Sequence, residues 1–477
     1  MTLQKNFRLL ATSAATLLLL GGCATVNFDE ALTTTRQAGQ GFIPQALELR
    51  QTAQQRRASL EHSEQLLATP LSMDRAVQLA LANSPAFQTL LAQSWADMAA
   101  ANQTGRIANP LLTFERTQMG SEVELNRLLS VGLLDILSLP RRQGIARNQL
   151  AQANIQLSAN VIDSVAQVRQ AWVRAVAAEQ TAGYAEQVNK AAQASAELAK
   201  RMQQAGNFSK LQRARQHVFY ADAIAQLALT RHAASAAREE LVRQLGLDQA
   251  QSTLLTLPDR LPDLPDQPRA AVDLQTTAVQ QRLDVQQAQL QLDGAGKAQG
   301  LSLLGTVADM ELGIRRDTVT DQDGGHSAER KGFELAIRLP VFDWGNAQRA
   351  AMNAQTLAAA NHYESVLRAA APQLRTSYSA YRTSYDLARH YRDEIVPLRK
   401  TMADENVLRY NGMLIGVFEL LADTREQIGS VMAAINAQQQ FWLADVGLST
   451  ALLGRPPATG MPSLSASGPS SSSGASH

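Results

Sequence analysis

The chain has 477 residues, with 44 basic and 43 acidic side chains and a net charge of +1, so charge gives no reason for nucleic acid as a partner. Its one cysteine, Cys23, rules out internal disulfides and any multi-cysteine metal site. Aromatic residues make up only 5%, and long Ala- and Gln-rich stretches lack Gly and Pro, a composition of long helices packed at close range.

The N-terminus carries Lys5 and Arg8, then an apolar run from Leu9 to Leu20, then Gly21, Gly22 and Cys23. That order is a secretory signal. Leu20-Gly21-Gly22-Cys23 resembles the bacterial lipobox, which implies a signal peptide over 1–22 and a lipidated Cys23 as the first mature residue. Several acyl chains on one residue anchor a protein stably. The alternative is an ordinary signal peptide ending near a buried cysteine. The apolar run is shorter than the ~20 residues of a spanning helix, and no later segment reaches that length without charges. Residues 23–70 follow as a lipidated N-terminal segment.

Two similar units come next, at 71–247 and 272–454. Leu134-Asp135 matches Phe342-Asp343, Arg201 before Gly206 matches Arg409 before Gly412, and Leu245-Gly246 matches Leu453-Gly454; Asp135 and Asp343, Arg201 and Arg409, and Leu245 and Leu453 are each 208 residues apart. Upstream, Phe114 matches Leu312 at an offset of 198, so the second copy holds about ten extra residues between Asp317 and Lys331. The pattern suggests duplication.

Each unit reads helix, strand, strand, long helix, turn, long helix. In the first, Leu112 and Phe114 alternate with Thr113, Glu115 and Thr117, and Val123 to Leu133 is a less regular strand. Leu150, Ala153, Leu157, Val161, Val165, Val168, Trp172 and Val176 then mark one helical face. A helix from about Arg141 to Ala205, a turn at Gly206-Asn207 and a return helix from Phe208 to Leu245 are predicted.

The segment 248–271 holds Pro258, Pro262, Pro265 and Pro268 and reads as an extended, Pro-rich linker. Gly294-Ala295-Gly296-Lys297 lacks phosphate-loop spacing and reads as small residues packing a helix end. In the second unit, Ala308, Met310, Leu312 and Ile314 alternate with Asp309, Glu311, Gly313 and Arg315. Phe333, Leu335, Ile337 and Leu339 alternate with Glu334, Ala336 and Arg338. Helices from Ala347 to Tyr410 and from Val417 to Leu452 flank a turn at Asn411-Gly412, with kinks or breaks expected at Pro372 and Pro397. From about Arg455, residues 455–477 turn to Ser, Gly and Pro and read as a disordered tail.

An apolar face and a charged face on one strand are the pattern of a membrane β-barrel, with half-buried soluble hairpins as the alternative. Four strands are too few for such a barrel, and an open sheet edge is forbidden in lipid, so several chains must pool their strands.

Taken together, the chain resembles the TolC family of outer-membrane efflux lipoproteins over roughly Leu71 to Gly454. The resemblance is carried by Leu71-Ser72-Met73-Asp74-Arg75-Ala76-Val77, by Asn109-Pro110-Leu111-Leu112, by Leu339-Pro340-Val341-Phe342-Asp343-Trp344-Gly345, and by Arg409-Tyr410-Asn411-Gly412 followed by Glu419-Leu420-Leu421. It implies a mainly α fold with a small β part. Long helical hairpins would form a periplasmic α-barrel, and a homotrimer would share a twelve-strand barrel in outer-membrane lipid. It also implies a periplasmic adaptor and an inner-membrane pump as partners. The chain would be the passive exit channel of a tripartite efflux or type I secretion system. The segment Tyr410 to Glu419 resembles members that export heavy metals, especially copper.

The helix tips at Gly206 and Gly412 would then face the inner membrane. An open duct would leak, so the second tip is expected to close by polar contacts, with Arg409 and Tyr410 one turn from Gly412 and Asp404 as acidic partner. The alternative is that Arg409 is solvated and Tyr410 packs the turn. The first tip has Met202 and Lys210-Leu211-Gln212 where the second has Tyr410 and Glu419-Leu420-Leu421, so gate details do not transfer to it. Asp404, Glu405, Glu419 and Asp423 otherwise read as solvated or helix-paired carboxylates. The seven histidines show no zinc spacing. No nucleophile–base pairing is legible and no cofactor is implied, so the chain reads as a non-enzyme. A periplasmic coiled-coil lipoprotein scaffold is the rival class, and it has no need of alternating strands.

Overall fold

A computed structural model describes residues 27–120, 122–270, 282–307, 309–321, 327–338, 342 and 344–456. In chain order these form α1 (Phe28–Ala38), α2 (Ala53–Leu67), α3 (Met73–Asn83), α4 (Pro85–Thr104), β1 (Leu111–Met119), β2 (Glu122–Gly132), α5 (Leu133–Leu137), α6 (Leu139–Gln204), α7 (Lys210–Leu245) and α8 (Gln249–Leu254). The second unit supplies α9 (Leu283–Val307), β3 (Asp309–Asp321), β4 (Ser327–Arg338), α10 (Asn346–His390), a π-turn (Tyr391–Ile395), α11 (Val396–Asn411) and α12 (Val417–Leu452). The fold is thus mainly helical, with one four-stranded antiparallel sheet. Among the described residues, no helix is long and apolar enough to cross a membrane.

Helix α6 runs for 66 residues, about 99 Å at 1.5 Å per residue. Its sequence lacks interior proline, so nothing interrupts the hydrogen-bond ladder. The stripe Leu157, Val161, Val165, Val168, Trp172 and Val176 is buried against α1, α3 and α4. Leu150 and Ala153 flank it, partly buried. Trp172 fills the centre, and its indole Nε1 donates to the Leu71 carbonyl at 2.7 Å. Ser84 joins α3 to α4 by capping the Phe87 amide. Gly246 ends α7 with φ +67° directly against this joint. A Cβ there would lie 2.6 Å from Ser84 Cα, so the packing itself requires glycine.

Pro372 does not break α10, which is helical through it. The ring removes the donor that would serve the Arg368 carbonyl, and Arg282 Nη1 donates to the nearby Ala370 carbonyl at 2.9 Å. Pro397 does coincide with an interruption: the π-turn ends at Ile395 and Pro397 takes an N-terminal position of α11, where its missing N–H costs nothing.

The Pro-rich stretch is non-helical but firmly packed. Leu261 and Leu264 are buried. Tyr385 Oη donates to the Pro265 and Asp266 carbonyls at 2.9 and 3.1 Å, and Trp442 Nε1 donates to Pro262 at 3.0 Å. Arg269 closes the strap on Asp445 at 2.9 Å. Burial pushes the Asp445 carboxyl above its ordinary range, against the opposing pull of Arg269 and Arg169. The Gly294 segment lies inside α9, not at a helix end. Gly294 faces α6, where a Cβ would meet Asn148 Oδ1 at 2.7 Å. Arg455, placed by sequence at the start of a disordered tail, is held by an ion pair to Asp163 on α6. The rest of that tail from residue 457 lies outside the described residues, as do Ala308, Leu339 and Asp343.

Candidate functional site

The sheet has the order β1-β2-β3-β4, so the two units join through β2 and β3, and β1 and β4 are left as edges. The register lines up the apolar faces read from sequence. Leu112 pairs with Leu129, Leu129 with Ile314 and Ile314 with Phe333, one apolar row across all four strands. Val131, Leu312 and Leu335 form the next row, and Met310 pairs with Ile337 beyond it. Among the described residues nothing covers these rows: Phe333 is 84% and Ile314 69% exposed. An apolar surface of this extent and continuity calls for lipid or a partner.

The opposite face is charged. Glu115, Asn126, Asp317 and Arg330 share a row, and Glu124, Glu311 and Glu334 lie on the same side. With its amide oriented to satisfy both acceptors, Asn126 donates to Glu124 and Asp317 at 3.1 Å each. Arg315 Nε donates to Asp317 Oδ2 at 2.7 Å, and Arg330 lies 4.0 Å from Glu124. Leu128 is one of the apolar residues on this side, with Leu111, Met119 and Val319. It fits because its neighbour is Gly313, where a Cβ would come within 2.7 Å of Leu128 Cδ1. Carboxylates outnumber cations on this face, which favours positive charge in an enclosed aqueous space.

At the other end of the long helices, the first turn lies at Gly206-Asn207 as the sequence reading has it, while the pairing of the two tips is out by one residue. In the first, Gly206 takes the left-handed conformation with φ +80°, and Asn207 N–H donates to the Met202 carbonyl at 2.9 Å. In the second, Met413 takes it with φ +58°, and Leu414 N–H donates to Arg409 at 2.8 Å. The hydrogen bonds therefore align Met202 with Arg409 and Gly206 with Met413. The pairings of Arg201 with Arg409 and of Gly206 with Gly412 are each out by one. Gly412 has φ −78° and sits one position early. A non-glycine residue in this region costs about 1–2 kcal/mol.

Asp404, Arg409 and Tyr410 all lie on α11 and are exposed. None makes a side-chain hydrogen bond or ion pair among the described residues, so the chain does not bring Asp404 to Arg409. The polar ties inside this hairpin are others: Arg399 with Glu426, and Asn406 with Asp423. Sequence reasoning missed both, because each joins residues on two different helices. Cys23 lies outside the described residues.

Neither a family model nor a curated protein sequence matches this chain. Solved structures do. CusC, described for its folding and transmembrane channel formation, has a TM-score of 0.68 at 16% identity, covering 86% of this chain and 97% of that one. The outer membrane protein VceC of Vibrio cholerae gives 0.66 at 15% identity, with 80% and 96% covered. The open-state MtrE outer membrane channel of Neisseria gonorrhoeae gives 0.63 at 18%, with 81% and 91% covered. The chain therefore has the fold of the TolC-like outer-membrane channels, the fold that the sequence resemblance implies.

Proposed function

We propose that the protein is the outer-membrane exit channel of a tripartite efflux system, or of the related type I secretion arrangement. It conducts cargo passively and receives it from a periplasmic adaptor and an inner-membrane pump. The observation that carries this reading is the open four-stranded sheet, apolar on one face and acidic on the other, at one end of very long helices. Its unpaired edges on β1 and β4 cannot stand in lipid, because backbone groups there find no water. A homotrimer in which β4 of each chain pairs with β1 of the next closes a twelve-strand barrel and removes every edge. A scaffold made of coiled coils alone gives no role to the exposed row from Leu112 to Phe333.

The cargo class we propose is a heavy-metal ion, copper foremost, from the resemblance of Tyr410 to Glu419. The acidic sheet face suits a cation in transit. We assign membrane anchoring to acyl chains on Cys23. The periplasmic gate is assigned to Arg409 and Tyr410, with Asp404 of a neighbouring copy as acceptor and Gly206 and Gly412 beside the two turns. Native mass measurement on detergent-extracted protein tests the assembly. Three chains are expected, and a monomer that remains soluble without detergent would contradict the channel.

A further inference from the structure

Above the apolar rows, the outer face of the sheet carries an arrangement that a protein alone would disfavour. The next row is Phe114, Arg127, Arg316 and Lys331, with Arg127 directly opposite Arg316 and Arg316 directly opposite Lys331. Like charges directly opposite one another in a sheet are destabilising. Arg116 adds a fourth cation one row further on. Among the described residues one carboxylate faces them: Glu329, which accepts from Arg316 Nε at 2.5 Å and lies 3.4 Å from Lys331 Nζ. Arg127 donates to Thr318 Oγ1 at 2.7 Å, while its Nε is buried without an acceptor. The row therefore holds more positive charge than its partners neutralise. It lies next to the Leu112–Leu129–Ile314–Phe333 row, about 7 Å further along the strands. It is also on the side away from the helices, since every strand meets its helix at the Leu111, Gly132, Asp309 or Arg338 end.

The geometry points to a lipid-binding belt: Arg127, Arg316 and Lys331, with Arg116, hold the phosphate groups of a phosphorylated glycolipid in the outer leaflet while its acyl chains cover the apolar rows. This rests on the outer-membrane reading above. Helices on the periplasmic side put the basic row at the headgroups of the external leaflet, and a row of guanidinium groups suits bidentate phosphate contacts. Their aliphatic stems can lie along the apolar rows with the charged heads raised to the headgroup level. The opposite face of the same strands is acidic, so the segregation of sign follows the two sides of the wall.

The test uses the full chain, extracted as an oligomer. Binding of bisphosphorylated lipid A in mixed micelles is measured for wild type, for Arg127→Gln/Arg316→Gln/Lys331→Gln, and for the inner-face control Arg330→Gln. The triple variant should bind roughly tenfold more weakly or worse, and the control like wild type. Dephosphorylated lipid A should bind poorly to all three, and inorganic phosphate should not displace the lipid. Equal binding by the triple variant, or equal binding of dephosphorylated lipid, overturns the belt. Displacement by inorganic phosphate would make it a site for the free anion and also overturns it. Conductance of the same samples in bilayers of phospholipid alone separates the two readings. Channels without selective lipid A binding sink the belt alone. Absence of channels from correctly assembled wild type sinks the outer-membrane reading and the belt with it.

Discussion

Leu335→Lys and Ala336→Lys are adjacent changes that should have opposite outcomes. Leu335 sits directly opposite Leu312 in an apolar row and is 51% exposed in the single chain, so its side chain is available to lipid. A lysine near the midplane of a barrel wall costs ~2–4 kcal/mol. Three copies in a trimer raise this to roughly 6–12 kcal/mol per assembly, comparable to the ~5–15 kcal/mol by which a whole domain is stable. Ala336 points to the other face, directly opposite Glu311. Lysine there gains an opposite-charge pair worth about 0.2–1 kcal/mol. The assay is the heat-resistant oligomer band from outer-membrane fractions, followed by its melting temperature. Leu335→Lys should lose the oligomer and Ala336→Lys should keep it, with an unchanged or higher melting temperature. Equal tolerance of both, or loss with Ala336→Lys alone, would refute the assignment of faces.

At the tips, Gly206→Ala should cost about 1–2 kcal/mol in thermal melts, since its φ of +80° disfavours a Cβ. Met413→Gly should leave stability unchanged or raise it, as the strain it relieves offsets the added chain entropy. Arg282 is 1% exposed, paired with Asp284 at 2.8 Å and bonded to Gln373 and Ala370. Arg282→Ala should therefore destabilise by ~3–5 kcal/mol in urea titrations, and Arg282→Met by clearly less. Arg409→Ala with Tyr410→Phe should raise single-channel conductance and sensitise cells to large antibiotics, because reversible polar contacts are worth only ~0.5–1.5 kcal/mol each. Unchanged conductance in an assembled trimer would remove these residues from the gate. Cys23→Ser should abolish incorporation of labelled fatty acid while the oligomer still forms. Label in that variant would refute the lipobox.

The features legible in sequence are those set by local periodicity. Strict alternation over Phe333 to Ile337 fixes the face of β4, and the absence of proline from 141 to 257 permits the long α6 and α7. Strand β2 is harder to read because Arg127 interrupts its outward face while Leu128 points inward. Both exceptions have causes on β3, in Thr318 and Gly313, almost 200 residues away. The strap was legible as non-helical, but not as packed, since its holders Tyr385 and Trp442 belong to distant helices. The second tip misled because glycine is the usual left-handed residue and stands at 412, one position before the turn requires it. Asp404, Arg409 and Tyr410, the residues proposed for the gate, are exposed, and none of them has a side-chain partner among the described residues.

Single-channel recording of the purified wild-type oligomer in a planar bilayer tests whether the protein is a conducting channel. With six carboxylates against two cations on the described inner face of each sheet, counted from Glu115, Glu122, Glu124, Glu311, Asp317 and Glu334 against Arg315 and Arg330, the pore should prefer cations. Discrete conductance steps are expected, with a reversal potential, in a potassium chloride gradient, shifted toward that of potassium. An assembled oligomer that inserts in the bilayer and passes no current, or one that prefers chloride, would contradict this expectation.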